Sequence, residues 1–227
     1  MKNYLLPLIV VTAAIGFSHQ ASAEIILYNN GLINGNVLAL PINNGGIVSD
    51  SFTLSQAATI SGVQFGSWND QGDTTTSVDW SITLGADTGT SYGGATATID
   101  SSTQDTNAEG ADLFNVFDDD FSIGSVDLGA GTYYLNLQNA QASLGGQPID
   151  DNVFWDDNNG PSDAVASGLG DLNDNTDGFK SGSNSESFQI FGTNDTSVVP
   201  EPSGLIPVSI GVLFVGFFIM KRRRRSA

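Results

Sequence analysis

The sequence has 227 residues, a formal net charge of −18 and no cysteine. All 25 acidic residues lie from Glu24 to Glu201, a stretch that contains one basic residue, Lys180. This imbalance excludes nucleic acids and anionic lipids as partners held by simple charge attraction, and it leaves divalent cations, neutral glycans and basic proteins.

The N-terminus has the three parts of a secretory signal peptide. Lys2 supplies the positive charge, residues 5–17 form a short apolar core, and Ala21 and Ala23 form a small-residue cleavage site before Glu24. An uncleaved N-terminal anchor is the alternative. The short apolar core and the cleavage site that follows it favour removal of residues 1–23.

The segment left after cleavage lacks most side chains that catalyse reactions. The one histidine, His19, lies in the signal peptide, so the exported segment has no histidine, cysteine or arginine. Serine–histidine and cysteine–histidine nucleophiles, zinc sites with histidine or cysteine ligands, and arginine clamps are therefore excluded. Carboxylate chemistry and cations bound by oxygen, such as calcium, remain.

Short runs of alternating apolar and polar residues predict strands along residues 24–192. The clearest run has Val78, Trp80, Ile82 and Leu84 on one face. Predicted strands lie at residues 51–54, 59–66, 77–85, 132–138 and 187–191. Clusters of glycine, asparagine and aspartate separate them and predict turns. We therefore expect an all-β ectodomain, an antiparallel β-sandwich of the jelly-roll type.

Three consecutive carboxylates, Asp118, Asp119 and Asp120, lie between Phe117 and Phe121. Such a run could gather a cation. Blocks of like charge are more often turns or solvated strand edges, and we expect that structure here.

Two tryptophans are candidate contacts for a neutral glycan. Trp68 and Trp155 each lie beside asparagine or aspartate residues, and aromatic faces stack on sugar rings while the polar neighbours bond hydroxyls. Trp80 alternates with apolar residues and is expected in the core. Burial of Trp68 and Trp155 at strand ends is the alternative.

One loop has the spacing of a calcium site. Asn173, Asn175, Asp177 and Gly178 fit the first part of an EF-hand loop with asparagine in first place, and Asp171 precedes them. The pattern fails at its twelfth position, where Asn184 replaces the bidentate glutamate, so a solvated acidic loop is the alternative. We expect no organic cofactor, and calcium is the one ion considered.

The C-terminal segment has the features of a membrane stop. Residues 193–203 form a linker, residues 204–220 carry no charge, and a helix over them would be about 25 Å long, close to the hydrocarbon thickness of a bilayer. Five cations follow at once and predict a cytoplasmic tail over residues 221–227. These cations are Lys221, Arg222, Arg223, Arg224 and Arg225. They argue against a buried core helix.

Pro200, Glu201 and Pro202, followed by the apolar segment and the basic tail, resemble the PEP-CTERM sorting signal of bacterial envelope proteins. The resemblance implies that an exosortase, a membrane protease or transpeptidase, reads the motif and releases the ectodomain to the surface. The two prolines disfavour helix and would keep the segment extended for a protease.

A second resemblance covers parts of residues 48–192. The segments VSDSF (48–52), TYYLNLQNA (132–140), FWDDNNGPS (154–162) and SESF (185–188) are similar to segments shared by exported PEP-CTERM ectodomains. They imply a recurring domain and carry no activity with them.

The leading hypothesis is therefore a non-enzymatic protein, exported as a single-pass membrane precursor and then held at the cell surface or in extracellular polysaccharide. Its partners would be the exosortase, the membrane through its C-terminal helix, and polysaccharide, but not nucleic acid. A carbohydrate-binding module that uses Trp68 and Trp155 is the alternative. A glycosidase would need a cleft lined by two carboxylates.

Overall fold

The computed structural model describes residues 23–34, 38–86, 89–106, 114–168 and 185–195. Backbone contacts divide the chain into Met1–Thr193 and Asn194–Ala227, and of the second unit only Asn194 and Asp195 are described. Among the described residues, no helix has the length and apolar character needed to cross a membrane. Residues 1–22 of the predicted signal peptide and residues 204–220 lie outside the described residues.

The described part of the chain is all-β, with fourteen strands and no helix. The strands are β1 Ile25–Asn29, β2 Ala39–Pro41, β3 Ile47–Leu54, β4 Ala58–Asp70, β5 Asp73–Thr83, β6 Ser91–Thr98, β7 Ser101–Gln104, β8 Phe114–Leu128, β9 Gly131–Leu144, β10 Gln147–Ile149, β11 Val153–Asn158, β12 Val165–Ser167, β13 Ser185–Glu186 and β14 Phe188–Asn194.

These strands form two antiparallel sheets. The eight-stranded sheet has the order β1-β14-β4-β11-β13, with β2 on β11, β8 on β4 and β7 on β8. The six-stranded sheet has the order β12-β3-β9-β5-β6, with β10 on β9. β4 and β8 pair along almost their whole lengths, from Ala58 opposite Leu128 to Asp70 opposite Phe114.

One hydrophobic cluster contains buried side chains from both sheets, so the sheets share a core. Phe52, Trp80 and Leu135 come from the six-stranded sheet. Phe65 and Trp155 come from the eight-stranded sheet. Their rings pack edge to face, with the ring centroids 6.3 Å apart. A chain without cysteine depends on this burial for its stability.

The alternating sequence pattern predicted five strands correctly and missed β8, the longest of the described strands. Residues 51–54, 59–66 and 132–138 lie within β3, β4 and β9. Most of residues 77–85 lie in β5, and residues 188–191 begin β14. The observed strands are mostly longer than the predicted runs; β4, for example, continues through Ser67 to Asp70.

The expectation for Asp118, Asp119 and Asp120 was wrong. They lie inside β8, which pairs with β4 on one side and with β7 on the other at these residues, so they form neither a turn nor a strand edge. Asp119 is 0 % exposed. Alternation of the strand directs its side chain inward together with Phe117 and Phe121, which are also buried.

Candidate functional site

Four carboxyl groups are buried within a small region of the fold, and we call them the buried carboxylate cluster. All four are 0–1 % exposed, which is unusual for acidic residues in the absence of a paired base. The members are Asp50 in β3, Asp156 and Asp157 in β11, and Glu186 in β13.

The alternation of the strands explains why three of these acids point inward. Asp50 lies between the core residues Val48 and Phe52, and Asp157 lies two residues after Trp155. Side chains two apart on a strand share a face, so each acid continues an apolar stripe. Glu186 lies directly opposite Asp157 in the antiparallel register of β11 and β13. Opposed residues of this kind have Cβ atoms about 4.5–5.5 Å apart.

Asp50 is well supplied with hydrogen-bond donors. Its Oδ2 accepts from the Nδ2 of Asn30 at 3.0 Å and from the backbone N–H of Glu186 at 2.7 Å. Its Oδ1 accepts from the backbone N–H of Ser51 at 2.6 Å. Burial raises the pKa of Asp50 to about 6, because the loss of solvation outweighs these donors.

Two asparagines hold the segments around the cluster together. The Nδ2 of Asn30 also lies 2.8 Å from the backbone oxygen of Glu186 and 2.6 Å from the Oγ of Ser185. The Nδ2 of Asn158 donates to the backbone oxygen of Asn30 at 2.9 Å, and its Oδ1 accepts from the backbone N–H of Gly160 at 2.8 Å. Each asparagine therefore joins segments that are far apart in the sequence.

Asp156 points to the opposite face of β11 from Asp157. Its Oδ1 accepts a hydrogen bond from the Nε1 of Trp68 at 2.7 Å, and its buried Oδ2 has no partner. Burial raises the pKa of Asp156 to about 7, with smaller contributions from the charges of Asp157 and Asp118. Much of this group is therefore protonated at neutral pH.

Glu186 is the least satisfied acid of the cluster. It is 0 % exposed, and neither carboxyl oxygen forms a hydrogen bond of ordinary geometry. Burial raises its pKa well above the usual value, and the proximity of Asp157, Asp50 and Asp156 raises it further. An isolated ionised carboxylate would be very costly here, so Glu186 needs a proton or a cation.

Asp119 forms a separate buried polar group between β4, β5 and β8. Its Oδ2 accepts from the Oγ of Ser67 at 2.7 Å, and the Nδ2 of Asn69 lies 3.0 Å from the same serine oxygen. The Oγ1 of Thr75 lies 3.2 Å from the Oδ1 of Asn69. Burial raises the pKa of Asp119 to about 6. The sequence analysis did not assign a function to this group.

A third acidic group lies at the β4–β5 hairpin. Among the described residues, the only three carboxylates whose oxygens lie within 4.8 Å of one another belong to Asp70, Asp73 and Asp151, which we call the hairpin trio. Asp73 is buried, whereas Asp70 is half-buried and Asp151 is exposed. Burial and the neighbouring Asp151 raise the pKa of Asp73.

The structure does not support glycan contacts by the two tryptophans. Trp155 is 0 % exposed, packs against Phe65 and Phe188, and donates its Nε1 hydrogen to the backbone oxygen of Ser187 at 2.9 Å. Trp68 is 4 % exposed and donates to Asp156. Stacking on a sugar requires an exposed ring face, which neither tryptophan has. We therefore correct that expectation: both are core residues.

Several other predicted residues fall outside the described part of the chain. They are the calcium-loop residues Asp171, Asn173, Asn175 and Asp177, the sorting residues Pro200, Glu201 and Pro202, and the basic residues 221–225. Of the cleavage-site residues, Ala23 and Glu24 are described and exposed, whereas Ala21 is not described.

The sequence analysis missed the buried carboxylate cluster, although a signal for it exists. An acid that occurs in phase with an apolar stripe, such as Asp50 between Val48 and Phe52, is predicted to face the core. Three segments quoted for the second resemblance, VSDSF, FWDDNNGPS and SESF, supply all four acids and meet at the cluster. Their convergence depends on the tertiary fold.

An open depression with a volume of about 190 Å³ lies over β4 and β8. Glu24, Asp100 and Asp120 line it. Ser122 donates to Asp100 through its backbone N–H at 2.8 Å and its hydroxyl at 2.7 Å, while Ser101 donates to Asp120 at 2.9 Å. These bonds fix the positions of the Asp100 and Asp120 carboxylates in the depression.

The buried carboxylates, by contrast, have no access to a polymer substrate. They can hold a proton or a desolvated ion, or stabilise the joined segments. Comparisons with known proteins do not narrow these roles, because no protein-family model and no curated protein matches the sequence.

Proposed function

We propose that this chain is a non-enzymatic protein of the bacterial cell surface or extracellular matrix that carries a C-terminal sorting signal. Residues 1–23 direct export, residues 24–192 form the exported domain, and residues 200–225 direct processing by an exosortase. The observation that carries the proposal is the ordered combination of Pro200-Glu201-Pro202, an uncharged segment of spanning length and five cations. The mature domain is associated with extracellular polysaccharide.

The chemistry of the domain supports a non-enzymatic role. Its sequence has no histidine, cysteine or arginine, and the acids with raised pKa values near neutrality, such as Asp156, are buried away from substrate. Recognition of a glycan through Trp68 and Trp155 is not proposed, because both rings are buried.

The strand connections support the finer assignment of the fold to a jelly-roll-like sandwich. Successive strands often change sheet: β3, β5 and β9 lie in the six-stranded sheet, while β4 and β8 lie in the eight-stranded sheet. Such alternation is typical of double-sheet Greek-key topologies. The fold supplies an exported scaffold that needs no disulfide.

Substitution of both motif prolines tests the sorting claim. In a host that contains an exosortase, the variant with Pro200→Ala and Pro202→Ala should remain in the membrane fraction, whereas the unchanged chain is released or transferred to the surface. The expected reason is that alanine permits helix to extend into the segment and hides the cleavage site. Immunoblots of membrane, surface and medium fractions measure the distribution.

Pro148→Ala is the matched control, because Pro148 is exposed on the short strand β10. This variant should be processed like the unchanged chain. Release of the double variant at the normal rate and normal size would refute the sorting claim.

A further inference from the structure

The buried acids outnumber every internal partner that could neutralise them. Five acidic residues are 0–1 % exposed: Asp50, Asp119, Asp156, Asp157 and Glu186. The described residues include no lysine, arginine or histidine, and between Glu24 and Glu201 the sequence has the single lysine Lys180. At most one of the five can therefore form an ion pair within the exported segment, and the others need hydrogen bonds, protons or an external cation.

Hydrogen bonds satisfy part of this requirement, but they do not reach Glu186. Asp50 accepts three, from Asn30 and from the backbone N–H groups of Ser51 and Glu186. Asp119 accepts from Ser67, and Asp156 accepts from Trp68. Both carboxyl oxygens of Glu186 lack a hydrogen-bond partner in a fully buried position. Native proteins seldom leave such a group unsatisfied without a ligand or ion.

Glu186 faces a second carboxyl group, which can donate a hydrogen bond to it only while one of the two holds a proton. It lies opposite Asp157 in the β11–β13 register, and the charges of Asp157, Asp50 and Asp156 all act on it. Two ionised carboxylates that face each other across a strand pair repel, which is destabilising unless one of them takes up a proton or a cation lies between them. Asn30 holds the Glu186 segment in place, because its Nδ2 donates to the backbone oxygen of Glu186 at 2.8 Å and to the Oγ of Ser185 at 2.6 Å.

The side chains available as metal ligands decide which kind of cation the site can bind. No histidine or cysteine occurs in the exported segment, so imidazole and thiolate ligands are absent. The site therefore suits a hard cation that prefers oxygen ligands. Magnesium keeps several of its waters and demands octahedral geometry, whereas calcium accepts carboxylates and carbonyl oxygens in flexible arrangements. A fully buried pair of carboxylates therefore suits calcium better.

We propose that the exported domain binds one calcium ion between the carboxylates of Asp157 and Glu186, where the ion joins β11 to β13 and stabilises the fold. The proposed ligands are other residues than those of the calcium loop predicted at 171–177, and the proposal does not depend on the sorting signal. Because β11 also pairs with β2 and β4, the ion connects a two-residue strand to the centre of the eight-stranded sheet.

The hairpin trio is the competing location for a cation. Its oxygens lie closer together than those of any other three acids among the described residues, but Asp70 and Asp151 keep access to water. Exposed acidic groups are solvated without an ion, whereas Glu186 has no water contact to lose. The need for a cation is therefore greater at Asp157 and Glu186.

Calcium titration of the full chain tests the proposal. The protein is purified in detergent, freed of metal with EDTA and titrated with calcium chloride, with magnesium chloride in parallel, while thermal unfolding is followed. Calcium should raise Tm by about 5–10 °C when its concentration is about 100 times Kd, and magnesium should act more weakly. Isothermal titration calorimetry should give one site per chain.

Four variants locate the ion. Glu186→Gln and Asp157→Asn keep the side-chain shape and remove a charge, so each should weaken calcium binding about tenfold or more and abolish most of the Tm shift. If one of them fails to fold, the other still tests the site. Asp127→Asn, an exposed acid on β8, and Asp73→Asn in the hairpin trio should both keep the normal response.

Three results would overturn the proposal. Loss of the calcium response in Asp73→Asn but not in Glu186→Gln would place the ion at the hairpin trio. If calcium does not change Tm and Lys180→Met strongly lowers it, Lys180 neutralises the acids. If calcium does not change Tm and Glu186→Gln alone raises it, the Glu186 carboxyl group holds a proton.

Discussion

At the scale of single residues, Asp119 and Glu186 show two ways in which this fold accommodates a buried acid. Asp119 has a hydroxyl donor in Ser67, which itself belongs to a network with Asn69 and Thr75. Glu186 has a second acid opposite and no donor. The first arrangement satisfies one of the two carboxyl oxygens, whereas the second satisfies neither, so Glu186 has the greater need of a proton or a cation.

Asp119 predicts a dependence of stability on pH. Its pKa of about 6 in the fold exceeds the ordinary value of 3.8, so the folded state binds the proton more tightly than the unfolded state. The resulting stabilisation is fully present below about pH 4 and is lost as pH rises through about 6. The shift corresponds to about 3 kcal/mol of the free energy of unfolding.

Asp119→Asn should remove this dependence, because the amide stays neutral and its oxygen can still accept from Ser67. Urea unfolding in EDTA measures the free energy of unfolding at about pH 4 and at about pH 8. The loss of this free energy between the two pH values should be about 3 kcal/mol smaller in the variant. Asp127→Asn, an exposed acid, serves as the control and should behave like the unchanged chain. An equal pH dependence in Asp119→Asn would show that Asp119 does not titrate near pH 6.

At the scale of elements, β4 is the strand on which the eight-stranded sheet is built. It pairs with β8, β11 and β14, and at Gly66 the backbone N–H donates to the oxygen of Ser187 at 3.1 Å. The absence of a side chain at Gly66 permits this close approach. A Cβ atom there would meet the Oγ of Ser187, and it would lie 2.9 Å from the Cβ of Asp156.

Gly66→Ala should therefore lower the free energy of unfolding by about 1–3 kcal/mol, because backbone or core side chains must shift to admit the methyl group. Gly62→Ala on the same strand is the matched control. Its Cβ would lie 3.6 Å from the backbone oxygen of Phe121, an ordinary contact, so this change should be neutral or slightly stabilising. Equal urea midpoints for the two variants would refute the close approach at Gly66.

The sequence predicted some elements well because their physical signal is local. Val78, Trp80 and Ile82 alternate with polar residues, and this period of two requires a strand wherever one face is buried. The prediction of a turn or solvated edge at residues 118–120 was wrong because it rested on the usual preference of like charges for solvent. In β8 the alternation of side chains along the strand places Asp119 in the interior, although a charged group prefers solvent. Ser67 on β4 donates a hydrogen bond to it there.

At the scale of the whole molecule, the buried carboxylate cluster could not be located from the sequence. Asp50 and Glu186 are separated by 136 positions, yet the Glu186 backbone N–H donates to Asp50. The phase of each acid within its apolar stripe is a local property and could have predicted burial. Which strands meet is decided by the packing of two sheets on one core, and no local pattern contains that information.

In the proposed function, the two ends of the chain would determine where the domain acts. An acidic domain with one lysine and no disulfide is suited to export, since it needs no oxidation to fold and its surface charge keeps it soluble. The proposed sorting signal would leave such a domain free of its basic tail. The mature form would then have a much more negative charge than the full sequence.

The intact mass of the protein recovered from the surface or medium of its native host tests this account most directly. We predict a mass that corresponds to a chain starting at Glu24 and ending within residues 200–203, which requires both signal cleavage and removal of the C-terminal segment. A mass that still includes residues 221–225, found only in the membrane fraction, would contradict the account and identify a permanent single-pass anchor.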